Sequence, residues 1–195
     1  MKRKTILTDV DGVLLDWASG FDRWMLSQGY QHRPGQEHAY LINERFQGLT
    51  YEESKRKIRE FNESEEAGNL KPLRDAKEGV YRLAAQGYTF GVITSHSNLP
   101  EPCRRREELL FREFGDVFES FHHLGTGDDK DDALLPYKGT GFWWIEDKTE
   151  NAVAGEKVGL KTILMDHEHN NEDRPENVRR AYDWNDIVDI ILLED

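Results

Sequence analysis

Two pairs of acidic residues stand where short apolar runs of the chain end. Asp9 and Asp11 close the first run and meet Gly12, and Glu146 and Asp147 close a later one. Runs of this length are typical of buried parallel strands, and Gly12 indicates the turn that leaves the first strand. Because open α/β sheets bind ligands at the carboxyl edge, acids here are placed for chemistry rather than for solvation. The alternative for the first pair is a strand that ends in turn-forming aspartates.

The same acids are suitable ligands for a hard cation. Mg²⁺ takes oxygen ligands and is usually held by one or two carboxylates together with phosphate and water. Asp9, Glu146 and Asp147 could supply the carboxylates, and the sequence leaves open whether Glu146 or Asp147 binds the metal directly. Surface acids at a helix N-terminus, favoured by the helix dipole, are the alternative interpretation of the second pair.

A hydroxyl pair, Thr94 and Ser95, ends the β-branched and aromatic run that begins at residue 88. The helical pattern before it, at residues 76–86, is closed by Gly87, so the local order is a helix and then a strand. The alternative role of the pair is to cap a following helix, because Ser and Thr are good N-caps.

Two lysines, Lys130 and Lys138, are candidates for a place at the carboxyl edge of the sheet. Lys130 lies between a predicted strand, residues 118–124, and a short helical pattern, residues 131–137, and is expected to face the sheet edge. Lys138 lies at the far end of that helix, where a lysine is an ordinary partner of the helix dipole. We favour Lys130. The alternative is a solvated lysine paired with its acidic neighbours, which are Asp128, Asp129, Asp131 and Asp132.

The Asp-x-Asp-Gly motif at residues 9–12, followed in order by a hydroxyl, a lysine and an acid pair, resembles the haloacid dehalogenase-type phosphohydrolases. The resemblance implies that Asp9 attacks a phosphate monoester to form an aspartyl-phosphate, and that Asp11 protonates the leaving oxygen and later activates water. It also implies that Thr94, with Ser95 beside it, and the lysine bind the phosphoryl group. Receiver domains use similar residue types, but in a different order.

The resemblance further implies Mg²⁺ as the cofactor, held by Asp9, Glu146, Asp147 and the backbone carbonyl of Asp11. Many relatives carry two aspartates in place of the Glu-Asp pair, and the family's more compact spacing matches Lys138. Two like charges about 4 Å apart repel by about 4 kcal/mol at an effective dielectric of about 20. A carboxylate that attacks phosphate therefore needs cations nearby.

Alternating strand and helix patterns predict a doubly wound, Rossmann-like α/β fold with a parallel sheet, and 195 residues can bury a sizeable core. Residues 17–72 exceed what a simple crossover needs. They contain helical patterns at 19–28 and 51–66, the second with Thr50 and Glu53 as a capping box. We expect a core domain made of residues 1–16 and 73–195, and a small helical cap at 17–72 that excludes water.

The cap, the Thr-Ser pair and the C-terminal segment at residues 164–187 are most similar to the 5′(3′)-deoxyribonucleotidase branch of that family. In that branch, the aromatic residue after the motif's last Asp helps to stack the base, and Trp17 occupies this position. Other aromatic residues of the cap could extend the pocket or could simply form the core of the cap. They are Phe21, Trp24, Tyr40 and Phe46.

Composition excludes several classes of function. A net charge of −12 disfavours binding along a nucleic-acid backbone, and the basic runs at residues 55–57 and 104–106 are expected to be solvated, ion-paired helix faces. No apolar stretch approaches the roughly 20 residues needed to span a bilayer. Because Cys103 is the one cysteine, the chain cannot form an internal disulfide, which fits a reducing compartment, and we expect a cytoplasmic protein. The thiol of Cys103 is expected to be inert. Four histidines match no zinc spacing and are expected to be structural; they are His122, His123, His167 and His169.

The sequence thus predicts a Mg²⁺-dependent phosphomonoesterase that acts on a small phosphorylated substrate, namely a nucleoside monophosphate. Two alternatives remain open. One is a phosphatase for another small phosphate or for a nucleic-acid 3′-phosphate. The other is a non-catalytic phosphate-binding or scaffold protein with the same fold.

Overall fold

The structure is a computed structural model that describes residues 4–173 and 175–194, so residues 1–3, 174 and 195 of the expected core domain lie outside it. Its strands are β1 (Lys4–Thr8), β2 (Tyr88–Thr94), β3 (Phe118–His123), β4 (Trp143–Glu146), β5 (Lys161–Met165) and β6 (Val178–Ala181). They form one parallel sheet in the order β3-β2-β1-β4-β5-β6. The predicted doubly wound α/β fold is confirmed.

Helices connect and cover the strands. They are α1 (Trp17–Ser27), α2 (Ile42–Arg45), α3 (Tyr51–Asn62), α4 (Ala76–Ala85), α5 (Pro100–Phe114), α6 (Asp131–Leu134), α7 (Thr149–Lys157) and α8 (Trp184–Glu194), with short 3₁₀ helices at Glu66–Asn69, Leu135–Tyr137 and Glu168–Asn170. None of the helices in the described part of the chain is long and apolar enough to cross a bilayer.

Strand β1 lies in the middle of the sheet, with β2 on one side and β4 on the other. Successive residues of a strand point to opposite faces. Ile6 and Trp143 accordingly belong to the larger apolar core, whereas Leu7 and Trp144 belong to a smaller core on the other face. Because apolar cores cover both faces of the sheet, the central strands have almost continuous apolar sequences.

The segment at residues 17–72, hereafter the cap segment, contains α1, α2 and α3. Helix α3 begins with the expected capping box: the Glu53 N–H donates to Thr50 Oγ1, and the Thr50 N–H donates to Glu53 Oε2. The helix ends earlier than predicted. The Ser64 hydroxyl donates to the carbonyl of Phe61, and a side-chain hydrogen bond of this kind competes with helix continuation.

Close packing between α4 and α8 gives a first test of the fold. A Cβ added at Gly79 would lie 2.6 Å from Cε3 of Trp184, a buried ring. We expect Gly79→Ala to lower the free energy of unfolding by about 1–3 kcal/mol, because overpacking outweighs the better helix propensity of alanine. Urea denaturation measures the change. Glu78→Ala, on the exposed side of the same helix, is the control, and equal stability of the two variants would contradict the packing described.

Candidate active site

The expected site residues meet at the carboxyl edge of the sheet. Thr8 of β1 pairs with Val92 of β2 and with Ile145 of β4, so the residues that follow these positions emerge side by side. The backbone N–H of Asp9 donates to the carbonyl of Ile145 at 2.9 Å, which continues the ladder one residue beyond the strand. Strand register therefore fixes Asp9 next to the acid pair that follows β4.

Lys130 is the cation of this edge. Its side chain is only 2% exposed, and its Nζ lies 2.8 Å from Oδ1 of Asp9 and 2.7 Å from Oε2 of Glu146. Burial opposes the charge, but the carboxylates of Asp9 and Glu146 raise the pKa of Lys130 above its ordinary value. Lys138 is exposed at the end of the 3₁₀ helix that follows α6. Of the two lysines, only Lys130 is placed with the acids.

Glu146 is fully buried, and both of its carboxylate oxygens are occupied. Oε1 accepts the backbone N–H groups of Asp147 and Lys148, each at 3.0 Å, and Oε2 pairs with Lys130. Asp147, by contrast, lines an open cavity. The geometry therefore favours Asp147 over Glu146 as the direct ligand of a metal.

Asp9, Glu146 and Asp147 each offer an oxygen within 4.8 Å of the others. Burial and the charge of Glu146 raise the pKa of Asp9 to about 7, against the opposing effect of Lys130. Burial and the charge of Asp9 raise the pKa of Asp147 to about 6. Three crowded carboxylates beside Lys130 and Lys148 still have excess negative charge, and oxygen donors of this kind suit Mg²⁺.

Gly12 makes room for the second acid pair. Its φ is +80°, a backbone region that disfavours side chains, and a Cβ built there would overlap the carboxylate of Asp147. The glycine of the first motif is thus required by an acid 135 residues later in the chain.

Arg106 corrects one expectation from the sequence. Arg104 forms the expected surface ion pairs with Glu101 and Glu108, but Arg106 is 1% exposed and pairs with the carboxylate of Asp11. Consecutive residues of a helix point in different directions, so a run of three arginines cannot share one solvated face. The buried arginine fixes the position of Asp11 beside Asp9.

The two hydroxyls after β2 differ in their contacts. Thr94 Oγ1 is buried and has no hydrogen-bond partner among the described residues, whereas Ser95 Oγ donates to the carbonyl of Asp128 at 2.8 Å. Both residues line the cavity. Thr94 therefore has a free donor at the edge of the sheet, and Ser95 holds the turn that precedes Lys130.

The cavity above this edge has a volume of about 610 Å³ and is bounded by the cap segment. The aromatic residues in its wall are Trp17, Tyr40 and Tyr51. Trp17 is anchored there: its Nε1 donates to Asn62 Oδ1, and one face stacks on Phe21 at 4.8 Å. Three other cap aromatics, for which the sequence left both the pocket and the core of the cap open, do not line the cavity but belong to the apolar core; they are Phe21, Trp24 and Phe46.

Similar folds occur among known structures. A hydrolase of the haloacid dehalogenase-like family from Streptococcus pneumoniae superposes with a TM-score of 0.68 at 12% identity, over 97% of this chain and 99% of that one. The heptose 1,7-bisphosphate phosphatase of B. bronchiseptica, complexed with magnesium and phosphate, gives 0.60 at 15% identity, over 98% and 99%. CbbY from Rhodobacter sphaeroides, in complex with phosphate, gives 0.59 at 16% identity, over 93% and 95%.

The fold is that of the haloacid dehalogenase-like hydrolases.

Sequence comparisons add less. No family model matches the chain. An uncharacterized 32.4 kDa protein of Enterobacteria phage T4, from the Gp30-rIII intergenic region, is 21% identical over 191 residues, which are 95% of this chain and 68% of that protein. What the comparisons establish is therefore the haloacid dehalogenase-like fold.

Three residues at the mouth of this site were not predicted as site residues from the sequence. His167 Nε2 lies 2.6 Å from the carbonyl of Gly12, His169 Nε2 lies 3.0 Å from the carbonyl of Asp147, and Lys148 lines the cavity beside them. The histidines follow β5, so their position after a parallel strand was the available signal, and spacing rules for metals could not detect it.

The acid cluster predicts an unusual dependence of stability on pH. Folding raises the pKa of Asp147 from 3.8 to about 6, so the folded state holds its proton more tightly. The stability that this proton contributes is complete below about pH 4 and is lost as the pH rises through 6. In the presence of a chelator, the free energy of unfolding of Asp147→Asn should therefore exceed that of the wild type by roughly 1–2 kcal/mol above pH 7. The difference should vanish near pH 4.

Urea denaturation at several pH values measures this difference. Asp132→Asn, which removes an exposed acid, should show no such gap. A variant that is less stable than the wild type at neutral pH would contradict the crowding of charge described above.

Proposed function

We propose that this protein is a Mg²⁺-dependent phosphomonoesterase that acts through an aspartyl-phosphate on Asp9, with a nucleoside monophosphate as its substrate. The observation that carries the activity is the buried Lys130, which pairs with Asp9 and lines the same cavity as the unpartnered hydroxyl of Thr94. A nucleophile, a cation and a hydroxyl donor at one edge are the parts that phosphoryl transfer needs. Two proteins of similar fold, CbbY and the heptose 1,7-bisphosphate phosphatase, have structures with phosphate bound, which supports this chemistry.

In the first step, a carboxylate oxygen of Asp9 bonds to phosphorus as the bond to the leaving oxygen breaks, and Asp11 gives that oxygen a proton. In the second step, Asp11 takes a proton from water as the water oxygen attacks phosphorus, which releases phosphate and restores the Asp9 carboxylate. Lys130 and Thr94 bind the phosphoryl oxygens, and Glu146 holds Lys130 in position. Asp9, Asp147 and the Asp11 carbonyl would hold Mg²⁺, which supplies charge neutralisation.

The cap segment supplies the other wall of the cavity. We propose that residues 17–72 form a separate cap over the core segments 1–16 and 73–195, and that it shields the reacting groups from water. Trp17, Asn43 and Tyr51 line the cavity from the cap side. Hydrolysis of a bound phosphate would thus be confined to the water that Asp11 activates.

Side chains of the cap segment that line the cavity support a nucleotide as the substrate. Trp17, Tyr40 and Tyr51 offer aromatic faces, and Asn43 Oδ1 is a buried acceptor with no partner among the described residues. Base stacking is worth roughly 1–3 kcal/mol, and an unpartnered amide oxygen can accept a hydrogen bond from a base edge. A cavity of about 610 Å³ has the size of ordinary small-molecule sites.

A sugar bisphosphate is the second candidate. Lys55 and Arg59, both exposed on α3, line the same cavity and could bind a second phosphate. One CbbY structure contains xylulose 1,5-bisphosphate, and the similar phosphatase of B. bronchiseptica is named for heptose 1,7-bisphosphate.

The activity is tested by phosphate release from nucleoside 5′- and 3′-monophosphates, sugar mono- and bisphosphates, and a 3′-phosphorylated oligonucleotide. We expect release from nucleotides with Mg²⁺ and none with EDTA. Asp9→Asn should lower kcat by roughly 10³-fold or more, because the nucleophile is lost, while the protein stays folded. Asp132→Asn is the matched control. Release from sugar bisphosphates alone would replace our substrate with the second candidate, and no release from any compound would refute the phosphatase.

The aromatic wall is tested separately. Tyr40 is 52% exposed, so Tyr40→Ala should leave the fold intact yet raise KM for nucleotides about 5- to 100-fold, because stacking is lost. Trp17→Leu should act in the same direction. Hydrolysis of ribose 5-phosphate, which has no aromatic ring to stack, should change less than twofold in Tyr40→Ala. Tyr182→Ala, at an aromatic residue exposed to 68% outside the cavity, is the control. Equal losses on both substrates would argue against base stacking.

A further inference from the structure

Three metal-ligating side chains meet on the same edge of the sheet, apart from the carboxylate cluster. His96 follows β2, His123 ends β3, and Cys103 lies in the first turns of α5. Thr94 pairs with His123 in the register of the two strands, which brings the two histidines together. One ligand atom from each of the three residues lies within 4.8 Å of the other two.

The ring of His96 is buried, and both of its nitrogens lack a hydrogen bond to a described residue. The side chain is 1% exposed, and the ring faces the backbone carbonyl of Pro102 without hydrogen-bond geometry. Leaving a buried polar group unpartnered costs about 1–3 kcal/mol, so such groups call for a missing partner. The other two residues of the cluster indicate that this partner is a metal ion.

His123 is oriented as metal-binding histidines are. Its Nε2 lies 2.9 Å from Oε1 of Glu107, while Nδ1 is buried without a partner among the described residues. When the N–H of one ring nitrogen donates a hydrogen bond to a carboxylate, the other nitrogen keeps a free lone pair, and metal-bound histidines commonly have this arrangement.

Cys103 supplies the third ligand. Its thiol is partly buried and donates to the carbonyl of Ser97 at 3.3 Å. Its pKa is raised, chiefly by burial, so the thiol is less reactive than an exposed one when no metal is bound. Metal binding would release its proton, and the thiolate together with Glu107 would offset two positive charges beside Arg106.

We propose that His96, Cys103 and His123 form a second metal site, which binds Zn²⁺. Two imidazoles and a thiolate suit Zn²⁺, whereas Mg²⁺ requires oxygen ligands, so the two sites select different ions. Zn–N and Zn–S bonds of about 2.0–2.3 Å in a tetrahedron place ligand atoms about 3.5 Å apart, which small side-chain rotations achieve.

The site would join three elements that support the active-site edge. The carbonyl of His96 accepts hydrogen bonds from Asn62 of the cap segment and from Thr126, and Arg106, one turn beyond Cys103, holds Asp11. A metal that fixes His96 to α5 and β3 would therefore stabilise the surroundings of Asp11. The proposal does not depend on the phosphatase activity.

The test is a titration of chelator-treated full-length protein with Co²⁺ and Zn²⁺. We expect one equivalent of Co²⁺ to give a thiolate-to-metal charge-transfer band and intense tetrahedral d–d bands, which Zn²⁺ abolishes. Cys103→Ser should remove the charge-transfer band, and Cys103→Ser and His123→Ala should each lower Zn²⁺ affinity about 100-fold or more. His122→Ala, an exposed neighbour on β3, should change neither, and Asp147→Asn should keep the band.

A second readout does not require a variant to fold. Zn²⁺ should slow alkylation of Cys103 in the wild-type protein at least tenfold, while Mg²⁺ should not. Absence of a thiolate band, or alkylation that is insensitive to Zn²⁺, would overturn the proposal.

Discussion

The ammonium group of Lys130 is the charge on which the carboxyl edge of the sheet depends. It is almost fully withdrawn from water and is shared between Asp9 after β1 and Glu146 at the end of β4. Buried charges persist only when they are paired and hydrogen-bonded. One cation thus ties two neighbouring strands to the start of α6, and it also allows two buried acids to lie close together. Without it, the repulsion within the acid cluster would oppose the packing of β4 against β1.

Glu146, which ends β4, and Asp147, which follows it, have different roles. The longer side chain of Glu146 turns back to accept two backbone N–H groups and the lysine, while Asp147 reaches the cavity in the space left by Gly12. Farther along the same edge, beside β2 and β3, the side chains of His96, His123 and Cys103 offer softer ligand atoms. Oxygen donors and nitrogen–sulfur donors prefer different metals, so neighbouring sites on one sheet can remain chemically distinct.

Much of this arrangement was readable in the sequence because it depends on local signals. Apolar runs gave the strands, Thr50 and Glu53 gave the start of α3, and acids after strands indicated the edge where they would meet. Lys130 also lies where the pattern of strand and helix put it. These features need only periodicity, capping chemistry and the rule that parallel strands end at a common edge.

The features that could not be predicted from the sequence depend on contacts between distant segments. The inward direction of Arg106 is set by which face of α5 packs on the sheet, and the burial of Phe21 and Phe46 is set by how the cap helices pack. The meeting of His96, Cys103 and His123 depends on the register of β2 against β3. The histidine positions carried no recognisable spacing, because their separation in the chain is spanned by a helix and a strand.

The position of β4 in the chain has a consequence for biosynthesis. Strands β1 and β2 are neighbours in both sequence and space, but the other neighbour of β1 is not made until residues 143–146. A nascent chain therefore contains Asp9, Thr94 and Lys130 well before Glu146 and Asp147 exist. Until residue 147 has left the ribosome, Lys130 lacks its second carboxylate and the acid cluster is incomplete. The order of translation thus keeps the acid cluster from assembling until β4 has been made.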